Sequence, residues 1–533
     1  MVRIFAIMIL SACVDSSVVS KWHERPCVAY PLSDNGHRTP QRHFSELGIA
    51  VVRSLLKYLV ETGVDGIEER MFKPRKKMQE QKEFWVVADR LAKASPSRFY
   101  ELLNGTLEEM DFAEEVWAMC APAYAEVERG GRPGIDPVVY FKMLMIGFFE
   151  GLESERAIAA RCADSLSLRG FLGYALDEAT PDHSSLSVIR QRLGSDCFAQ
   201  VFALVLTALQ RHGLLKGRHL GIDSSVIEAN ASLRSLSERN TEEGYWDYVK
   251  RLAKEAGLET DDGAALRNFD RKRAGKKLSN EQWQNPHDPD AKIGRTKDGA
   301  TDMVYLPEHT VDLDTGAIVQ AQILPGDHRD SEDLSARVIE AVVSVQTAQG
   351  VTDPEVLPQT LTADKGYFSL EEIGRLQELA LKTVISDPRR DQRRLDKLSS
   401  AQRQTLARAR RSASSKYGKK LLRKRGQHIE RSFAHVLDAG GLRRATVRGL
   451  ENLNKRHQIA AACYNLSQLL RRLHGVGTPK QWAAGFAELL LTVKALLLTL
   501  RGMLPLHPAW ILTRAQHQTL STQTKNIRFS TAC

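Results

Sequence analysis

Five short apolar runs with strand periodicity between residues 219 and 386 limit the folds open to this chain more than any other feature. They are His219–Ile227, Met303–Asp314, Ala317–Leu324, Thr360–Asp364 and Thr383–Ser386. The second and third flank the turn Asp314-Thr315-Gly316, which predicts a hairpin. Helical periodicity over Ser331–Thr347 and Leu370–Leu379 separates the later runs. Three antiparallel strands followed by two that alternate with helices predict a mixed five-stranded sheet with helices on both faces. Residues 231–300 are polar and interrupt this order as an insertion or loop, with one helical stretch at 241–257. Helices are expected again over Gln427–Val436 and Glu451–Leu473.

Two strands of this α/β core end on a carboxylate. Asp223 sits in His219-Leu220-Gly221-Ile222-Asp223-Ser224-Ser225, and Asp364 sits in Leu361-Thr362-Ala363-Asp364-Lys365-Gly366-Tyr367. A third acid, Glu430, lies on a helical pattern in His428-Ile429-Glu430-Arg431-Ser432-Phe433. Ligand sites in open sheets lie at strand ends beside a switch in strand order, which would bring Asp223 and Asp364 together. Two acids at strand ends and one on a helix can hold a pair of divalent cations, and such a pair serves phosphoryl transfer. Each acid also has a plainer reading. Asp223 would cap a strand end, Asp364 would open the turn Lys365-Gly366, and Glu430 would be a surface acid beside arginine. Asp312, Asp327, Asp330 and Glu451 are further acids near the same segments. Lys365 is placed to meet a phosphate. Tyr367 and Phe368 would stack on an unpaired base or pack in the core, and His309 and His328 read as structural or solvated.

Net charge is +10, with pI near 9.2. Residues 389–425 hold fifteen Lys and Arg against Asp391 and Asp396, a net of +13, so the rest of the chain carries 10 − 13 = −3. That segment, which includes Arg423, Lys424 and Arg425, is either a solvated helical face or a surface that tracks phosphates. The seven cysteines are scattered without a CxxC pair, which argues against a zinc site and a disulfide framework and suits a reducing cytosol. No stretch is long and apolar enough to span a bilayer. The nearest, Trp482–Leu506, contains Glu488, Lys494 and Arg501 and reads as a buried or partner-facing helix. Arg3 and the apolar run Ile4–Cys13 have the pattern of a short signal peptide. Residues 1–70 read alternatively as an upstream extension, with Met71 nearer the functional start.

Residues 71–215 read as a helical region. Asp136-Pro137 supplies a cap and a first-turn proline for a helix through Tyr140, Met143, Leu144 and Phe148. Thr180-Pro181-Asp182-His183-Ser184-Ser185 precedes a helix carrying Arg190 and Arg192. Short helices with basic ends suit a helix-turn-helix-like DNA-binding bundle or a plain helical packing domain.

Over residues 71–478 the chain resembles the DDE transposases of bacterial insertion sequences. The resemblance rests on Gly221-Ile222-Asp223-Ser224, Asp364-Lys365-Gly366-Tyr367, Ile429-Glu430-Arg431-Ser432-Phe433, Arg448-Gly449-Leu450-Glu451-Asn452 and the block from Arg132-Pro133 to Phe148. It implies an RNase H-like catalytic domain over 216–474 with insertions at 231–300 and 389–425, a helical DNA-binding domain before it and a tail at 475–533. It implies Asp223, Asp364 and Glu430 as the catalytic, metal-binding triad for two Mg²⁺ or Mn²⁺ ions. Mg²⁺ suits such a site because it takes hard oxygen ligands and keeps several waters. Terminal inverted repeats and target DNA are the implied substrates, a homodimer the implied synaptic unit, and the cytoplasm the implied location. Lys365, Arg423, Lys424, Arg425, Arg431, Arg190 and Arg192 are the expected DNA contacts. Many relatives carry a basic residue seven positions after the glutamate, where this chain has Leu437; Arg431, Arg443 or Arg444 would stand in for it. Two other readings stay open: an RNase H-like nuclease without strand joining, and an inactive element copy that still binds DNA.

Overall fold

The computed structural model describes residues 97–124, 134–175, 177–274, 279–351, 358–389 and 395–483. The signal-like run, the 1–70 extension, Arg132-Pro133 and nearly all of the tail lie outside them. Among the described residues no single helix is long and apolar enough to cross a membrane. The four described cysteines are buried and unbridged.

Seven helices come first among the described residues: α1 (Arg98–Glu109), α2 (Phe112–Tyr124), α3 (Pro137–Glu150), α4 (Glu155–Asp164), α5 (Leu166–Leu172), α6 (His183–Arg192) and α7 (Ser195–Arg211). Asp136 caps α3 as expected, accepting the Val138 N–H at 2.8 Å with Pro137 in the first turn. Asp182 caps α6 in the same way through Ser185. α3 is apolar around nearly its whole circumference, and a helix of that kind is buried on all sides.

β1 (His219–Ser224) follows, with Leu220 and Ile222 buried. The expected strand to Ile227 is broken: β1 stops at Ser224, and β2 (Ile227–Glu228) resumes the pairing. The break lies opposite Pro307, which accepts the Ser225 N–H at 2.8 Å but has no N–H to give back. The polar segment 231–300 is not a loop. It folds into β3 (Ser237–Glu238), α8 (Tyr245–Glu255), α9 (Gly263–Lys272), β4 (Trp283–Gln284) and β5 (Lys292–Arg295). Tyr245, Val249, Leu266 and Trp283 are buried there, enough apolar surface to order a segment whose average composition is polar. The Tyr245 hydroxyl donates to Asp270 at 2.9 Å, and Arg273 pairs with the same carboxylate at 2.7 Å.

β6 (Thr301–Asp312) and β7 (Ile318–Pro325) form the expected hairpin. α10 (Leu334–Gln349), β8 (Thr360–Ala363), α11 (Leu370–Glu378) and β9 (Lys382–Ile385) complete the alternating part. The sheet runs β7-β6-β1-β8-β9, with β6 antiparallel to β1 and β7, and with β8 and β9 parallel to β1. β2 and β5 add to β6 beyond this five-strand frame. All four residues of β8 are buried, as a parallel strand covered on both faces requires. In the parallel β1–β8 register Ile222 lies beside Ala363, so Asp223 and Asp364 follow as neighbours at one edge.

The basic segment is also helical. α12 (Ser400–Ser414) starts with a capping box between Ser399 and Gln402. α13 (Lys416–Phe433) starts at Ser415, whose hydroxyl accepts the Gly418 N–H at 2.9 Å. The helix expected at Gln427 therefore begins eleven residues earlier, because Lys, Arg and Leu favour helix and Ser415 supplies the cap. After a π-helical turn at Ala434–Ala439, α14 (Leu450–His474) crosses the molecule. Asn465 on α14 bonds both the N–H and the C=O of Ile318, at 3.0 and 2.8 Å, fixing the helix to β7. α7 packs along the other side of α14, so the N-terminal helices and the sheet share one continuous core.

Candidate active site at the ends of β1 and β8

Asp223 and Asp364 face a single guanidinium. Arg425 Nη1 lies 2.5 Å from Asp223 Oδ2, and Nη2 lies 3.9 Å from Asp364 Oδ1. The Arg425 side chain is 12% exposed, against 30% for Asp223 and 56% for Asp364. The carboxylates thus open to solvent while the arginine lies behind them. Gly221 makes this approach possible. A Cβ there would sit 2.6 Å from Leu313 Cδ2 and 3.1 Å from Arg425 Cγ. Burial pushes the Asp223 carboxyl above its ordinary range, Arg425 pulls it back, and the neighbouring Asp364 charge adds to the rise.

Glu430 is exposed on α13, five residues after Arg425. At 3.6 residues per turn that is about 140° around the helix, so the two side chains leave in different directions. Its carboxylate lies beside Gly426, whose Cβ would come 3.8 Å from Glu430 Oε1. Among the described residues no three His, Cys, Asp or Glu side chains are gathered closely enough to hold an ion. The structure brings Asp223 and Asp364 together, and Glu430 lies on the same helix as the arginine that they face. The pair itself suits a hard divalent cation. Both ligands are carboxylate oxygens at the open edge, and the Arg425 guanidinium already stands in as a cation between them.

The basic candidates divide. Lys365 is exposed next to Asp364, and Arg423 and Arg431 are exposed on α13. Lys424 reaches Asp314 at 3.4 Å. Arg190 is held in an ion pair with Glu155, each side chain only 13% exposed, so it does not present its charge to solvent. Arg192 is exposed and lies over the Tyr124 ring at 4.9 Å. Leu437 is fully buried, so the position seven residues after Glu430 is a core position in this chain.

Three of the other acids, Asp312, Glu451 and Asp330, have structural work. Asp312 accepts the N–H groups of Lys216 and Gly217, at 2.6 and 3.0 Å, and so fixes the entry to β1. Glu451 pairs with Lys455 at 2.8 Å. Asp330 accepts the Ser224 hydroxyl at 2.9 Å, directly behind Asp223. His309 is core: it bonds Ser432 at 2.8 Å and His457 at 3.0 Å and stacks on Phe433. Burial lowers both imidazoles, His457 to about 3. Ser432 and Phe433 of the third motif are thereby packing residues.

Sequence reasoning passed over a second ion pair on the opposite face of β6. Glu308, 1% exposed, pairs with Arg337, 6% exposed. It also accepts the Tyr367 hydroxyl at 3.0 Å and Gln322 Nε2 at 2.8 Å. Arg337 further donates to the carbonyls of Asp330 and Glu332, at 2.6 and 2.9 Å. Tyr367 is thus buried against Glu308, not free to stack on a base. The signal for this network was present: an acid inside the apolar run of β6.

Residues 89–192 match the family described as Transposase domain (DUF772), and residues 386–470 match the family described as Transposase DDE domain. The second match contains Arg425 and Glu430; Asp223 and Asp364 lie before it. No curated protein and no solved structure is significantly similar to the chain.

Proposed function

We infer, because this chain belongs to the DDE transposases of insertion sequences, that it cuts DNA at the terminal inverted repeats of an element and joins the ends to target DNA. The observation that carries this reading is the pair Asp223 and Asp364, neighbours at the open ends of two parallel strands and sharing one cation. The strand order, with β6 alone antiparallel to β1, β8 and β9, supports an RNase H-like core over residues 216–474. In this reading Asp223, Asp364 and Glu430 are the catalytic carboxylates.

Asp223 and Asp364 would hold the divalent cation, Mg²⁺ or Mn²⁺, and Glu430 would join from α13 when DNA is bound. When bound, the cation supplies Lewis acidity at the reacting phosphate. The protein's own part is positional. β1 and β8 fix the two carboxylates, and Asp330 fixes Ser224 immediately behind Asp223. Lys365 stands beside Asp364 to meet the phosphate, and the exposed cations of α12 and α13 track the backbone on either side. Two DNA ends must be handled together, so the working unit in this account is a dimer.

The test is incubation of the protein with inverted-repeat DNA, with and without Mg²⁺ or Mn²⁺. Metal-dependent cutting at the repeat end with a joined product supports transposition. Cutting without joining would reduce the reading to a nuclease, and binding without cutting to an inactive DNA-binding copy.

A further inference from the structure

Beyond Ser224 the chain runs on through Ser225 and Val226 into β2, and residues 443–449 lie along it. Arg443 donates to the Ser225 hydroxyl and to the Val226 carbonyl, both at 3.3 Å. The Ala445 N–H bonds the Glu228 carbonyl at 2.8 Å, as in an added strand. Asn230 Nδ2 donates to the Thr446 carbonyl at 3.2 Å, and Arg448 Nε donates to the Asn230 carbonyl at 3.1 Å. Gly449, with φ +84°, turns the backbone so that its N–H meets Asp288 at 3.1 Å and the Leu450 N–H meets Asp290 at 2.9 Å.

This fixed backbone forms one wall of a cavity of about 280 Å³. Ser232, Ser235, His287, Asp302, Arg444 and Arg448 contribute to its lining. Two arginines and two serines line it with a single acid, Asp302, which already accepts the Met303 N–H at 2.8 Å. Arg444 is 76% exposed, and its approach to Glu228 at 3.9 Å is longer than a hydrogen bond. Arg448 spends only Nε on Asn230 and keeps its terminal N–H groups. A cavity with that donor set suits an anion with several oxygens, and arginine forks match phosphate geometry.

Its place in the fold identifies the phosphate. Asn230 is seven residues beyond Asp223, at most about 25 Å along an extended chain. That is within one turn of B-DNA, about 34 Å. Arg443, Arg444 and Arg448 follow one another outward from the strand end that carries the carboxylates.

We propose that this cavity seats a backbone phosphate of the DNA strand whose reacting phosphate lies at Asp223 and Asp364, with Arg444 and Arg448 as its cations. The proposal rests on the transposase reading and gives a role to Arg448 of the motif Arg448-Gly449-Leu450-Glu451-Asn452, which the catalytic site leaves unused.

The experiment is the salt dependence of binding to inverted-repeat DNA for the wild-type chain, Arg444→Gln, Arg448→Gln and the double variant. Arg98→Gln, exposed on α1, controls for overall charge. Removing one phosphate-binding cation should flatten the slope of log affinity against log salt by about 0.9. Wild type should therefore lose about fourfold more affinity than Arg444→Gln between about 50 and 200 mM salt, and the double variant should flatten by about twice as much. Arg444→Gln decides the matter even where Arg448→Gln fails to fold, because Arg444 has only its distant approach to Glu228 to lose. Slopes equal to wild type, or equal to that of Arg98→Gln, overturn the assignment while DNA binding by wild type leaves the transposase reading standing. Absence of DNA binding by wild type overturns both.

Discussion

Two carboxylate–guanidinium pairs lie on opposite faces of the same two strands, and they do different things. Asp223 and Arg425 sit at the open edge, the acid 30% exposed. Glu308 and Arg337 sit one residue along in the register and are almost wholly enclosed. The open pair has a second acid within 3.9 Å and few other partners. The closed pair is tied in by Tyr367, Gln322 and two backbone carbonyls. The same chemical groups therefore make a pair with solvent-open carboxylates on one face and a fixed strut on the other. Burial and the number of further hydrogen bonds decide which.

The largest effect expected of any change to either pair is at the strut. Arg337→Met leaves Glu308 buried without its counter-charge and should cost about 3–5 kcal/mol. Urea unfolding would show this as a lower midpoint, and adding Glu308→Gln should restore part of the loss. A midpoint unchanged in both the single and the double variant would remove the strut from the comparison.

Gly221→Val should come next. Its branched side chain meets Leu313 and the stem of Arg425, and overpacking of this kind typically costs about 1–3 kcal/mol. The midpoint should fall as Arg425 is pushed away from Asp223. A variant of wild-type stability would mean that α13 does not rest on β1.

Acid should act through the core beneath the open pair. His457 is buried and its folded-state pKa is held near 3, below the ordinary value of 6.5. A depressed value means that the unfolded chain takes up the proton first. Its contribution to stability is full above about pH 6.5 and is lost as pH falls towards about 3. His457→Gln should flatten that part of the stability profile relative to wild type.

Arg425→Gln should have the smallest effect on stability, because the two carboxylates that it faces open to solvent and can be hydrated once the guanidinium is gone. It tests the comparison most sharply for that reason. A loss as large as that of Arg337→Met would make the open pair a strut as well.

Much of this arrangement was legible in the residues. The five apolar runs gave the strands, and the parallel register of two of them was enough to set Asp223 beside Asp364. Glu430 was harder, because where a helical side chain points depends on where the helix starts and how it lies. α13 starts at Lys416, inside a segment whose charge suggested an insertion. The folded part of 231–300 was hidden because a few aromatics, Tyr245 and Trp283 among them, hold a segment that is polar on average. Glu308 and Arg337 are twenty-nine positions apart, and only the packing of α10 on the sheet reveals that they meet. Arg190 carried a basic charge that suggested DNA, yet its partner Glu155 belongs to a different helix, and the sequence does not say which helices touch.

The central claim is that the paired strand-end carboxylates do the chemistry while α13 contributes the third. The most direct measurement is metal-dependent cleavage of inverted-repeat DNA by wild type, Asp223→Asn, Asp364→Asn and Glu430→Gln, with DNA binding measured on the same samples. The account predicts cutting by wild type alone and near-equal binding by all four. Cutting at the wild-type rate by either aspartate variant would contradict it, and cutting by Glu430→Gln alone would move the third ligand elsewhere.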